Sequence, residues 1–292
     1  MASWNASDSV QKTAFISREG LFEFNVMPFG VCNGPATFQR AMDSMLGNYN
    51  WKFAMVYIDD INIFSRTFEE HLQHLRLVFQ RIREAGLRLN KAKCNFVRKE
   101  LLFLGHVINK NGISPDPSTV QKIVEFPQPR TVKGLRSFLG LAGYYRKFVK
   151  GFSQIAAPLF KLLRNNIVFI WTIDQETAFN KLKEILTTSP ILIYPDFTKK
   201  FYLYTDAFDS GLGAVLSQKD EENRERVIAY SSVSLKPAET RYSTTEKEAL
   251  AVVWAVRQFR HYLLGTTFEI ITDHNALRWL FTKQANPTPR IS

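Results

Sequence analysis

Two aspartates in succession, Asp59-Asp60, interrupt an apolar β run. Phe53 to Ile58 reads as a strand, and Ile61, Ile63 and Phe64 resume the pattern beyond the pair. Adjacent carboxylates inside such a run are costly, because half-buried like charges repel each other and lose hydration. A divalent cation offsets both costs, and hard oxygen ligands suit Mg²⁺. The plainer alternative is a solvent-exposed hairpin turn capped by two acids. A turn in solvent does not need Val56, Tyr57 and Ile58 before it and Ile61, Ile63 and Phe64 after it. The surrounding apolar residues favour the metal reading and leave the capped turn as its alternative.

A second set of acids comes from three elements. Asp206 ends the expected strand Phe201–Asp206, and Asp273 ends the expected strand Phe268–Asp273. Between them a helix is expected from Ser243 to about Leu263, opened by a Ser243/Glu246 capping box. Glu248 shares a helical face with Val252, Ala255 and Phe259, so it is expected to point inward. An inward carboxylate facing two strand-end aspartates is a ligand set for two-metal phosphodiester hydrolysis. The alternative is that each acid is a separate cap or surface group. His71 and His74 could pair on a metal, but no third ligand accompanies them, and a solvated face is the simpler reading. Cys32 and Cys94 have no partner that suggests zinc or nucleophilic chemistry, and no phosphate-binding Gly-Lys-Ser/Thr loop is present.

The formal net charge of +11 favours a polyanionic partner, and its distribution says more than its sum. No acidic residue occurs between Phe126 and Ile173, where Arg130, Lys133, Arg136, Arg146, Lys147, Lys150, Lys161 and Arg164 lie among Phe138, Tyr144, Tyr145, Phe148 and Phe152. Such a stretch is either a solvated helical face beside a core stripe or a module that tracks a phosphate backbone.

At 292 residues the chain suggests two or three domains, and a hydrophobic fraction of 45% argues against dominant disorder. The longest apolar run, Ala249 to Val256, is far short of the roughly 20 residues of a membrane span. No secretory signal opens the chain, and two cysteines make no disulfide framework, which fits an intracellular setting. A helix is expected from Asn33-Gly34-Pro35, and a second after the Thr67/Glu70 capping box. Leu101–Ile108 reads as one strand with Asn111-Gly112 as its hairpin turn. Breaks near Ser114–Pro117 and Pro190–Pro195 divide an α+β part from a helical part, and that from an α/β part.

Val26-Met27-Pro28-Phe29-Gly30-Val31-Cys32-Asn33-Gly34-Pro35-Ala36-Thr37-Phe38-Gln39, followed by Tyr57-Ile58-Asp59-Asp60, closely resembles the reverse transcriptase of gypsy-type LTR retrotransposons. The resemblance continues through Phe103-Leu104-Gly105-His106 and Phe138-Leu139-Gly140-Leu141-Ala142-Gly143-Tyr144-Tyr145-Arg146. Tyr204-Thr205-Asp206-Ala207, Tyr242–Glu248 and Thr272-Asp273-His274 resemble the attached ribonuclease H. It implies an α+β fold: a partial polymerase palm over 1–113, a helical, basic thumb or connection over 114–194, and an α/β ribonuclease H-like domain over 195–292.

The resemblance implies RNA-directed DNA synthesis and hybrid-directed RNA cleavage by two-metal phosphoryl transfer, with Mg²⁺ or Mn²⁺, two ions per site. Asp59 and Asp60 would be the palm pair, and Asp206, Glu248 and Asp273 three ribonuclease H ligands. Phe29, Gly30, Gln39 and Tyr57 would line the nucleotide and template pocket, and Leu104, Gly105 and His106 would grip the primer. Arg130, Lys133, Arg136, Arg146, Lys147 and Lys150 would follow the nucleic-acid backbone. Implied partners are an RNA template, a DNA primer, the RNA/DNA hybrid and deoxynucleoside triphosphates, in a cytoplasmic particle or the nucleus, with no membrane. In this family a further palm aspartate and the fingers lie upstream of Lys12-Thr13-Ala14-Phe15, and another aspartate lies downstream of Asp273. The expectation is an interior piece of a polyprotein that binds nucleic acid but catalyses neither reaction efficiently alone. The rival expectation is a decayed or domesticated remnant that only binds nucleic acid.

Overall fold

The computed structural model describes residues 7–277. The chain forms two compact units, one up to Phe96 and one from Val97. The closing part of the expected 195–292 domain, from 278 on, lies outside the described residues.

In the first unit a short helix α1 (Ser7–Val10) precedes an antiparallel hairpin of β1 (Phe15–Ser17) and β2 (Gly20–Phe22). Helix α2 (Gly34–Leu46) carries Pro35 in its first turn, where a missing N–H costs nothing. A second hairpin pairs β3 (Ala54–Tyr57) with β4 (Asp60–Ile63), and α3 (Phe68–Glu84) follows. The Thr67/Glu70 capping box forms as expected: Thr67 Oγ1 accepts from the Glu70 amide at 3.2 Å, and the Glu70 carboxylate accepts from the Thr67 amide at 3.4 Å. Leu46, Ala54, Val78 and Ile82 form the buried core where α2, β3 and α3 meet.

The second unit begins with an antiparallel meander of β5 (Glu100–Phe103), β6 (His106–Asn109) and β7 (Gly112–Pro115). The run expected as one strand over Leu101–Ile108 thus reverses at Leu104-Gly105. Asn109 pairs with Gly112, so the next loop is Lys110-Asn111 rather than Asn111-Gly112. Gly112 has another duty. Ile113 and Leu192 exchange backbone hydrogen bonds of 2.8 and 2.9 Å, and a Cβ on Gly112 would lie 2.1 Å from the Leu192 carbonyl oxygen. This meander, placed with the palm on sequence grounds, lies in the second unit.

Helices α4 (Pro117–Val124), α5 (Val132–Tyr144), α6 (Phe152–Ile155), α7 (Ala157–Lys161) and α8 (Ile173–Thr187) enclose the largest core, including Leu135, Phe138, Leu139, Phe148, Leu159, Phe179 and Leu182. A four-stranded sheet follows in the order β10 (Glu225–Ser234), β9 (Gly211–Lys219), β8 (Phe201–Phe208) and β11 (Phe268–Ile271). The first three strands form an antiparallel meander, and β11 returns parallel to β8 after the crossover helix α9 (Thr244–Gln258). The expected long helix breaks at Phe259, and α10 (Arg260–Leu263) continues beyond. Phe201, Leu203, Ala255, Phe259 and Leu263 pack in the core between helix and sheet. No helix among the described residues is long and apolar enough to cross a membrane.

Candidate active sites

Tyr57 pairs with Asp60 across β3 and β4, so the two-residue loop is Ile58-Asp59 and Asp60 opens the second strand. Ile58 takes φ +55°, a costly conformation for a β-branched residue. The side chain of Gln39, on α2, holds it there. Its Oε1 accepts from the Ile58 amide at 2.6 Å, and its Nε2 donates to the Val56 carbonyl and to Asp43 Oδ1, each at 3.1 Å. Asn50 Nδ2 donates to the same Asp43 oxygen at 2.9 Å. Both Asp59 and Asp60 are exposed, and among the described residues neither carboxylate has a hydrogen-bond or ion-pair partner. This corrects the expectation of half-buried charges: the hairpin projects the pair into solvent. Phe29 is fully exposed, Tyr57 is half exposed, and Gly30, at φ +90°, has open space above it. Gln39 differs in that its side chain is committed to bracing the turn.

Replacing Gln39 by Ala strands the Ile58 amide and the Val56 carbonyl. Chemical denaturation should show a loss of about 1–2 kcal/mol. An unchanged midpoint would remove Gln39 from this bracing role.

The second set of acids converges in the other unit. Tyr204 pairs with Ile271 in parallel register, and Asp206 and Asp273 each follow two residues further along the chain. Neither stands at a strand end as expected: β8 runs on to Phe208 and β11 stops at Ile271. Glu248 is inward as expected, at 4% exposure, on the buried face with Val252 and Ala255. Its Oε1 accepts from the Ala207 amide at 3.3 Å, while its buried Oε2 has no partner. Burial first, then the charges of Asp206 and Asp273, push its carboxyl above the usual carboxylate range. His274, overlooked as a site residue although it follows Asp273, meets Thr245 Oγ1 at 2.9 Å and ties the Asp273 loop to the start of α9. The three acids do not close on one point: among the described residues no three His, Cys, Asp or Glu side chains are set around an ion. The orphaned, desolvated Glu248 oxygen between two aspartates nevertheless fits a divalent cation in charge and in donor chemistry.

Leu104 and Gly105 form a two-residue turn with φ +46° and +66°, the signature of a type I′ hairpin. The exposed side of α5 carries Lys133, Arg136, Ser137, Gly140 and Tyr144, while Leu135, Phe138, Leu139 and Ala142 are buried on the other. Arg130 and Lys150 are also exposed. Arg146 is occupied within the fold, since its guanidinium donates to the Ser232 carbonyl and lies over the Phe152 ring. Lys147 stands 5.2 Å from the Phe148 ring centroid, and burial lowers its pKa. Lys133 and Arg136 are thus the cations of α5 without a partner among the described residues, whereas Arg146, though exposed, has one guanidinium donor committed to the Ser232 carbonyl.

Residues 4–108 match the family described as reverse transcriptase (RNA-dependent DNA polymerase), and residues 171–270 match the RNase H-like domain found in reverse transcriptase. The chain is 46% identical over 274 residues to the retrovirus-related Pol polyprotein from transposon 297 of Drosophila melanogaster, covering 94% of this chain and 25% of that one. The chain belongs to the reverse transcriptases of retrotransposon Pol polyproteins. Against the transposon Tf2-3 polyprotein of Schizosaccharomyces pombe the chain is 37% identical, over 94% of its own length and 21% of the relative's. The chain therefore spans about a quarter of the curated relatives it matches. Among solved structures it resembles a foamy viral protease-reverse transcriptase in complex with double-stranded DNA, with a TM-score of 0.83 and 26% identity, over 98% of this chain and 49% of that one. The foamy viral enzyme in complex with RNA/DNA hybrid gives a TM-score of 0.80 at 27% identity, over 98% and 39%. Reverse transcriptases and their RNase H domains are in general dependent on divalent metals.

Proposed function

We propose that this chain takes part in copying element RNA into DNA and in removing the RNA strand of the resulting hybrid. The observation that carries the proposal is Glu248, a buried carboxylate with one orphaned oxygen, whose pKa is raised first by burial and then by the charges of Asp206 and Asp273. A fold has no structural use for that arrangement, and a cation-binding hydrolytic site does. Asp206, Glu248 and Asp273 would hold Mg²⁺ or Mn²⁺ for hybrid cleavage, and Asp59 and Asp60 would hold it for nucleotide addition. When bound, the cations supply positive charge against the phosphoryl oxygens of the reacting strand.

The remaining roles fall to side chains with free surface. Phe29, Gly30 and Tyr57 offer the incoming deoxynucleoside triphosphate and the template base an exposed aromatic and an open backbone. Leu104, Gly105 and His106 would meet the primer end, and Lys133 and Arg136 its phosphates. Gln39 acts one step back by holding the Ile58 amide, and so the carboxylate turn, in place.

Binding should be electrostatic. Affinity of the 292-residue chain for an RNA/DNA duplex is expected to fall steeply with salt as counterions are released. Charge reversal of Lys133 and Arg136 together should weaken binding alike for all sequences and reduce the salt slope by about 2. Fluorescence anisotropy across a salt series reads both quantities, and an affinity indifferent to salt would overturn the backbone-tracking role of α5.

A further inference from the structure

The Tyr144-Tyr145 pair stands in a motif of the sequence, yet none of the roles above uses it. In the structure both hydroxyls reach back forty positions to one turn. Tyr144 donates to the Leu104 carbonyl at 2.5 Å, and Tyr145 donates to the Gly105 carbonyl at 2.6 Å. Each carbonyl has a second donor. The His106 Nδ1–H meets the Leu104 oxygen at 2.7 Å, and the Asp116 amide meets the Gly105 oxygen at 3.1 Å. The Leu104 contact assigns the imidazole proton to Nδ1, and the buried Nε2 has no partner. The rings of Tyr144, Tyr145 and Phe148 surround that imidazole, with centroids at 5.3, 5.5 and 5.8 Å.

Such a clamp answers a specific strain. Leucine rarely occupies the left-handed region that Leu104 takes in this turn. Gly105 is required for closeness as well as for its φ: a Cβ there would lie 3.2 Å from the Tyr144 ring and 3.3 Å from the Tyr145 hydroxyl. Tyr145 is wholly buried and anchors the clamp in the core, whereas Tyr144 is half exposed at the end of α5.

Tyr144 also lies on the same helical face as Lys133, because eleven residues return the helix to within about 20° of its starting direction. The basic face of α5 therefore ends at the Leu104-Gly105 turn, about 17 Å along the helix axis from Lys133.

We propose that Tyr144 and Tyr145 are positioning residues that lock the Leu104-Gly105 turn to the end of α5, so that backbone-tracking cations and primer-contacting turn meet a duplex at one fixed spacing. This rests on the reading of Leu104-Gly105-His106 as the primer contact. The hydroxyls set where the primer terminus lies and add nothing to how tightly the duplex is held.

The test uses the 292-residue chain, a primer–template duplex with 2-aminopurine at the primer 3′ terminus, and the variants Tyr144→Phe, Tyr145→Phe and their combination. Phenylalanine keeps both rings, and a thermal melt establishes that each variant is folded. Duplex affinity and its salt slope should stay within about twofold of wild type, because Lys133 and Arg136 are untouched. The terminus fluorescence response should fall about tenfold in the double variant, since each lost hydrogen bond is worth a factor of several. A response retained in the double variant overturns the clamp alone. A parallel loss of affinity and terminus response also overturns it, since that marks a merely structural pair. A wild-type chain that binds without any terminus response overturns the primer-contact reading, and the clamp's purpose with it.

Discussion

Replacing Glu248 by Gln is expected to abolish hybrid cleavage while making the metal-free protein more stable at neutral pH. The two effects have one cause. Glu248 is desolvated beneath two aspartates, and its ionised form is disfavoured in the folded state. Its folded pKa lies above the ordinary 4.5. Below that ordinary value the carboxyl is protonated in both states and carries no penalty. As pH rises through the raised pKa, the folded state must ionise a buried group and loses stability relative to the unfolded chain. Gln cannot ionise, so its advantage should be near zero in acid and grow as pH rises towards neutrality. Thermal melts across pH measure it. Adding Mg²⁺ should stabilise wild type more than the variant, because a ligand that binds only the folded state stabilises it. Cleavage of a labelled hybrid, assayed within the full open reading frame, should be lost. Glu246→Gln is the control: that carboxylate accepts from the Ser243 amide at 2.9 Å, so its loss costs at most about 1 kcal/mol and no activity. If Glu246→Gln stopped cleavage and Glu248→Gln did not, the helix phase assigned to the metal site would be wrong.

What was legible in the sequence was local in the chain. The two capping boxes lie within three residues, and the inward face of Glu248 follows from a single helical period. The alternation of strands around α9 marks the α/β character of the last part, and Asp206 and Asp273 lie near enough for their charges to act on Glu248.

What was not legible depends on partners far along the chain. The Leu104-Gly105 reversal lacks the Asn-Gly or Asp-Gly signature of such turns and depends on hydroxyls forty residues away. Gln39 reads as a pocket residue from its motif, and only the hydrogen bond to Ile58, nineteen positions on, shows what it braces. Arg146 counts as one more cation in an acid-free stretch, and only the structure shows one of its donors committed to the Ser232 carbonyl, eighty-six positions on. Charge and periodicity name the side chains available, but a contact between distant segments decides which remain free for a ligand.

Replacing Asp59 by Asn should lower primer extension by about 10³-fold or more, equivalent to about 4 kcal/mol of transition-state stabilisation. Asn matches Asp in size but lacks the charge that holds a divalent cation. The structure separates this loss from any loss of fold. Asp59 sits in the loop of the β3–β4 hairpin, exposed and without a partner among the described residues, so neutralising it should move stability by less than about 0.5 kcal/mol. Duplex affinity should also hold, because the α5 cations are unchanged. The same loss is expected for Asp60→Asn, whose carboxylate is exposed at the start of β4. Ile58→Gly provides the contrast. It relieves the left-handed strain at Ile58 and keeps both acids, so the turn gains freedom while the charge stays. Extension should then fall by about tenfold, as misplacement of ligands costs less than their removal. Single-nucleotide incorporation on a matched primer, within the full open reading frame and with Mg²⁺ in excess, ranks the three. Extension by Asp59→Asn at the wild-type rate would place the polymerase metal elsewhere. An Ile58→Gly loss as deep as that of Asp59→Asn would make the braced turn, and not its charge alone, the decisive element of the site.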